Sequence, residues 1–194
     1  GLTEANRNVA VGKDAMRANT LGSRNVAVGE SALDAMNLTT ATDSYNIGVG
    51  YFAGGSVTTG AYNTLVGGLT GDAITDADYN VAMGYLALSA NTLGSRSTAI
   101  GTVALAAQNF TTATDAYNTA VGYQAGGSVT TGVQNTFLGG LSGDALTDAD
   151  YNAGLGFGTL STDTLGSKST AVGYAALQNQ NFTTATDSFN TAVG

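Results

Sequence analysis

Cysteine, histidine and proline are all absent from the 194 residues. Without cysteine there are no disulfides and no thiolate chemistry, and the redox compartment leaves no mark. With histidine gone as well, the common nucleophile–base pairs of hydrolases and transferases cannot be assembled. Absent proline suits a body made mostly of interior strands, because proline cannot donate to a ladder. Charge is scarce too: 10% of residues are charged, against a usual share of about a quarter. Only six are basic (Arg7, Lys13, Arg17, Arg24, Arg96 and Lys168), and the net charge is −8. That balance argues against nucleic acid and anionic membrane surfaces, which require a basic patch. No apolar run approaches the roughly 20 residues of a membrane span, so no membrane insertion is expected in this segment.

What is present is glycine, 28 residues of it, within a chain that is 43% hydrophobic and too apolar to be disordered. The glycines are positional. Asn or Ser, a variable residue, a usually small residue, a large aliphatic and then Gly recur at Asn8, Asn25, Asn46, Asn63, Asn80, Ser97, Asn118, Asn135, Asn152, Ser169 and Asn190. The intervals run 17, 21, 17, 17 and repeat, so the short motif nests in a 72-residue super-repeat. Spacing of this kind marks one supersecondary unit stacked on itself. The expected organisation is a single repeat domain over 1–194: the end of a preceding coil at 1–7, super-repeats at 8–79 and 80–151, and a partial third at 152–194. Starting and stopping in mid-repeat is what a slice of a longer fibrous chain would show.

Within the motif the second and fourth positions share one face of an extended strand. The fourth is always a large aliphatic, as in Val28, Met83, Ile100 and Leu138, and the second is mostly Val, Ile or Thr. That β-branched preference favours strand over helix. The third position, on the other face, is usually Ala or Gly; Leu65 and Phe137, equivalent positions in successive super-repeats, are the exceptions. The fifth is always glycine: Gly12, Gly29, Gly50, Gly67, Gly84, Gly101, Gly122, Gly139, Gly156, Gly173 and Gly194. A fixed glycine implies a positive φ or a neighbouring backbone that leaves no room for Cβ. One coil then reads as a short strand, a glycine corner, a second short extended stretch and a loop. The fold class is all-β, a thin parallel β-roll or β-solenoid with 17- and 21-residue coils. A 17-residue coil offers only about four core side chains, and its strand is apolar on both sides. We therefore expect the small-residue face to be a seam between identical chains; the sequence leaves open which face lies inside.

The motif as it stands in Asn25-Val26-Ala27-Val28-Gly29, Ser97-Thr98-Ala99-Ile100-Gly101 and Ser169-Thr170-Ala171-Val172-Gly173 is similar to the head repeat of YadA-like trimeric autotransporter adhesins. The variant Asn118-Thr119-Ala120-Val121-Gly122-Tyr123-Gln124-Ala125-Gly126 resembles repeats of phage tail fibres and related bacterial surface proteins. The resemblance implies a homotrimeric left-handed roll, extracellular, on a cell surface or virion, serving as shaft or adhesive head. Its implied partners are its own copies and a host-surface glycan or protein. Adhesin heads use shorter coils, so ligand behaviour does not carry over, and the family has no catalytic residues to transfer.

Other candidates are weighed against plainer readings. Asp76 and Asp78, and their equivalents Asp148 and Asp150, place oxygen ligands at alternate positions like the start of a calcium loop. The glycine and distant glutamate of such a loop are missing, and a solvated acidic loop is the default. Asn37, Asn109 and Asn181 head the only three Asn-x-Ser/Thr glycosylation sequons; a threonine-rich turn is the alternative. Thr98, Thr119, Thr136, Thr170 and Thr191 suggest an ice-binding array, but they share the parity of aliphatics read as core, so packing is preferred. Tyr45, Tyr62, Tyr79, Tyr117 and Tyr151 precede the motif and read as a stacked corner rather than a sugar platform. The expected function is a non-enzymatic fibrous segment of a trimeric adhesin or tail fibre. The alternative is a self-assembling extracellular filament of head-to-tail solenoid units.

Overall fold

A computed structural model describes residues 5–194. Among them there is no helix, and eleven three-residue strands form one parallel sheet in chain order from Val9–Val11 to Thr191–Val193. Each motif supplies one strand. Registers are set motif on motif: Val9 faces Val26, Val26 faces Ile47, and Ile47 faces Thr64. The chain therefore winds as a parallel β-solenoid of about eleven turns, its ladder hydrogen bonds running along the winding axis. Three further two-stranded pairings, such as Gly94–Ser95 with Thr114–Asp115, lie only where the longer coils bring their extra loop onto the turn before. Of the expected preceding coil at 1–7, residues 1–4 lie outside the described residues. Ala5 and Asn6 join the stack, Ala5 N–H donating to the Thr20 carbonyl (3.1 Å) and Asn6 accepting from Arg24 N–H (3.1 Å).

The corner glycine is required twice over. At Gly122 φ is +141°, and a Cβ there would stand 2.6 Å from both the carbonyl carbon and oxygen of Gly139 in the next turn. Neither the dihedral nor the space admits an L side chain.

Beyond the corner the structure corrects one expectation. The second stretch is a run of turns rather than an extended segment. The second and fourth residues after each corner, such as Leu86 and Leu88 or Val103 and Leu105, take φ between +48° and +65°. A left-handed residue with a side chain costs roughly 1–2 kcal/mol. The cost is tolerated because alternating hands point peptide groups along the axis. Leu88 N–H donates to the Ala104 carbonyl (3.0 Å) and Val103 N–H to the Tyr85 carbonyl (3.0 Å).

The second correction concerns the faces. Ala27, Ala82, Ala99, Ala120 and Ala171, all at the third motif position, are fully buried inside the single chain. The small-residue face is therefore the interior wall and not the seam expected from the sequence. Opposite these small residues the turn run supplies a large side chain: Leu33, Leu88, Leu105 and Leu160 pack there, also fully buried.

The first motif position carries an asparagine ladder. Asn46, Asn63, Asn80 and Asn135 are fully buried. Asn46 Oδ1 accepts from the backbone N–H of Asn63 (2.9 Å), and Asn63 Oδ1 from that of Asn80 (3.0 Å). Each Nδ2 closes its own coil: that of Asn63 donates to the Ala77 carbonyl (2.8 Å) and that of Asn135 to the Ala149 carbonyl (2.8 Å). One side chain so satisfies a donor in the next turn and an acceptor in its own, which buried backbone groups require.

Candidate functional site: the outward face of the sheet

With the third position turned inward, the second and fourth positions face out. Val9, Val11, Ile47, Met83, Leu138 and Leu155 are between 37% and 57% exposed, and they stand in two columns along the sheet. Isolated exposed apolar residues are ordinary, but a contiguous apolar patch of this extent is not. No charged residue occupies either column.

Two margins bound the columns. Along the asparagine side run the residues that precede each motif, all with φ between +49° and +64°. Tyr45 stacks on Tyr62 with ring centroids 5.6 Å apart, and Tyr62 on Tyr79 at 4.9 Å. Arg96 follows, its guanidinium carbon 4.8 Å from the Tyr79 ring centre and 5.8 Å from that of Tyr117. The stacking expected of these tyrosines is thus present along Tyr45, Tyr62 and Tyr79, with Arg96 lying over Tyr117. Three cations in this margin pair with an aspartate of the longer coils: Arg24 with Asp43 (2.7 Å), Arg96 with Asp115 (2.9 Å) and Lys168 with Asp187 (2.6 Å). Asp43 and Asp115 hold the guanidinium pKa of Arg24 and Arg96 above its usual value, chiefly through the hydrogen bond. Along the glycine side stand Tyr51, Tyr85, Tyr123, Phe157 and Tyr174, each more than half exposed.

The threonines are corrected in direction, not in parity. Thr98, Thr119 and Thr136 are half-buried, and Thr170 and Thr191 exposed, on the outward face together with the aliphatics. They do not pack in the core.

The acidic candidates are held by neighbouring turns. Asp76 accepts from the Thr59 hydroxyl, and Asp78 Oδ1 accepts from Ala61 N–H (2.7 Å). Asp148 and Asp150 repeat both arrangements with Thr131 and Val133. Burial raises the Asp78 carboxyl above the usual range, against the lowering effect of the Ala61 bond. Among the described residues no group of three acidic, histidine or cysteine side chains could hold a metal ion. Asn37, Asn109 and Asn181 are exposed at the start of the longer coils' extra loops, where Leu38 and Phe110 turn inward beside them.

Two features escaped the sequence. The asparagine ladder could have been suspected from the regularity of position one. Asp72 and Asp144 could not: each keeps a buried Oδ1 with no hydrogen-bond partner, and burial raises both carboxyls above the usual range. No cavity opens on the described surface. Comparison with family models, with curated proteins and with solved structures yields no match to this chain.

Proposed function

We propose that this chain is a non-enzymatic fibrous segment, the shaft or adhesive head of an extracellular assembly on a cell surface or virion, and that it works as a homotrimer. The carrying observation is the outward sheet face: two uncharged columns of Val, Ile, Leu, Met and Thr, left open by the single chain. At about 4.8 Å per rung and 3.3 Å per residue, the face with its margins measures roughly 50 Å by 20 Å. That is about 1,000 Å² a side, above the ~800 Å² a partner contributes to a standard stable interface. Closed rotational symmetry around a fibre axis buries such a face on every copy at once. The wound unit is taken as the shorter and longer coils of the sequence motif, grouped into its super-repeat; pairings such as Val9 with Val26 and Val26 with Ile47 support that division. The number three and the adhesive role rest on the resemblance of the strand motif to adhesin and tail-fibre repeats. A host-surface glycan or protein would be bound by the segment or by what it carries.

Sedimentation equilibrium at micromolar concentration tests the reading. Three times the mass of the single chain is expected, falling to one in a Val121→Asp, Ile100→Asp double variant that keeps its β circular dichroism. A wild-type monomer overturns the reading. Fibres of indefinite length under the electron microscope would replace it with head-to-tail filament assembly.

A further inference from the structure

The two outward columns repeat on every rung, so by themselves they specify axial alignment between neighbouring chains weakly. Sliding one chain by a rung swaps Val121 for Leu138 or Ile100, one aliphatic for another. Flat, uniform strands are prone to such slippage. The margins are different. On the glycine side, Tyr51, Tyr85, Tyr123 and Phe157 alternate with Gly68, Thr102 and Gly140, so from Tyr51 to Phe157 a ring stands on every second rung. The rings reach across the gaps: a Cβ at Gly68 would lie 3.7 Å from Tyr85 Cδ2, and one at Gly140 3.4 Å from Phe157 Cδ2. The asparagine side follows the same beat over its second half, where Tyr79, Tyr117 and Tyr151 alternate with Arg96, Gln134 and Lys168.

Rotation about a fibre axis brings the glycine margin of one chain against the asparagine margin of the next. With no axial offset, ring meets ring at four rungs, from Tyr45 with Tyr51 to Tyr151 with Phe157, while Tyr62 meets Gly68 and Lys168 meets Tyr174. Gly140 then faces Gln134, whose long side chain can use the space, and Thr102 faces Arg96, which stays held by Asp115 and the Tyr79 and Tyr117 rings. An offset of one rung sets Tyr123 beside Arg96 or Gln134, leaves both Gly68 and Gly140 opposite tyrosine, and halves the ring pairs to two; an offset of two restores most or all of them but does not close under rotation. Aromatic pairs gain from meeting one another beyond the area they bury.

We infer that these alternating margins are an alignment device: a second copy of this chain docks on the outward face in register, and a one-rung offset is rejected. The inference rests on self-association through that face. It requires no change in the winding of either chain, because both margins lie at corners already fixed by the glycine and asparagine positions.

Single-cysteine chains test it cleanly, since the chain has no cysteine of its own. Chains carrying Val121→Cys are co-refolded with chains carrying Val121→Cys, Leu138→Cys or Leu155→Cys and joined with a short bis-maleimide. In register, Val121→Cys joins Val121→Cys severalfold more than it joins Leu138→Cys, and joins Leu155→Cys least. Filling the gaps with Gly68→Tyr, Thr102→Tyr and Gly140→Tyr, or removing the rings with Tyr85→Gly, Tyr123→Gly and Phe157→Gly, should bring the first two yields together. Comparable yields in the unaltered chain, or a preference that survives both sets of changes, overturns the alignment device and leaves self-association standing. An oligomer that gives no cross-link at any pair places its seam elsewhere and overturns both. A monomer by sedimentation removes the reading on which the inference rests.

Discussion

Leu65 fills the space that a side chain on Gly71 would need: a Cβ at residue 71 would stand 2.8 Å from Leu65 Cδ2. In most turns the arrangement is reversed. Ala82 on the strand faces Leu88 from the turn run, and Ala99 likewise shares its coil with Leu105, all fully buried. Phe137 with Gly143 repeats the exchange one super-repeat later. In these coils one large side chain fills the space between the strand's third position and the turn run, supplied by either wall.

This exchange predicts a rescue. Gly71→Leu alone should overpack the coil and cost about 1–3 kcal/mol, although φ at residue 71 is +55°, close to the +56° that Leu88 already adopts. Leu65→Ala alone should open a cavity and cost about 2–5 kcal/mol. The Leu65→Ala, Gly71→Leu double variant recreates the common pattern and should recover most of both losses in urea denaturation. Simple additivity would refute the one-side-chain rule.

Corner glycines and other glycines should separate sharply. Gly122→Ala meets both a forbidden φ and the Gly139 backbone, and a loss of roughly 3 kcal/mol or more is expected. Gly158→Ala is the control: φ is +65°, nothing lies within 4 Å, and other coils place Ser31, Leu86 or Gln124 in the same conformation. Its melting midpoint should move little. Equal shifts for the two would mean that the close approach of successive corners does not matter.

The asparagine ladder yields a third expectation. Asn135→Ala strips the acceptor from Asn152 N–H (2.9 Å) and the donor from the Ala149 carbonyl. Leaving two buried groups unpaired should cost roughly 2–4 kcal/mol. Asn135→Ser should fare little better. Where serine holds the position naturally, Gln108 comes with it, its Nε2 donating to Ser97 Oγ (3.1 Å) and its Oε1 accepting from Asn118 Nδ2 (2.9 Å). Residue 135 has Leu146 at the corresponding place.

Acidity should stabilise the fold over a defined window. Asp72, Asp144 and Asp78 all have carboxyl pKa values raised by burial. A raised folded value means the folded chain holds a proton that the unfolded chain has released. The stabilisation is complete below the ordinary aspartate pKa of about 4 and is lost as pH rises through the folded values. Asp72→Asn with Asp144→Asn should therefore raise the melting temperature at pH 7 and shrink the gain on moving toward pH 4. A lower melting temperature at pH 7 would show that the two charges are compensated.

The winding was legible because a backbone demand repeats: only glycine satisfies the corner, so the corner glycines were visible in the sequence alone. The paired parity of positions two and four was legible for the same kind of reason. Direction was not. Val28 and Ala27 give no indication of which lies inside until the coil's width is known, and that width is set by Leu33 and Leu88 in a segment read as extended. Left-handed conformations at Leu86, Val103 or Tyr117 are also invisible in composition, because such residues have little intrinsic preference for them and are held there by the turns above and below. Asp72 was indistinguishable from a solvated loop carboxylate.

Because every ladder bond lies along the winding axis, a pull on the two ends would load the rungs one after another rather than together. Each turn that peels away would pay out roughly 17 residues of slack, about 58 Å at full extension, while the turns behind it stay wound. Such a strand would act as a reel under load, lengthening many-fold in small steps and rewinding when the force drops.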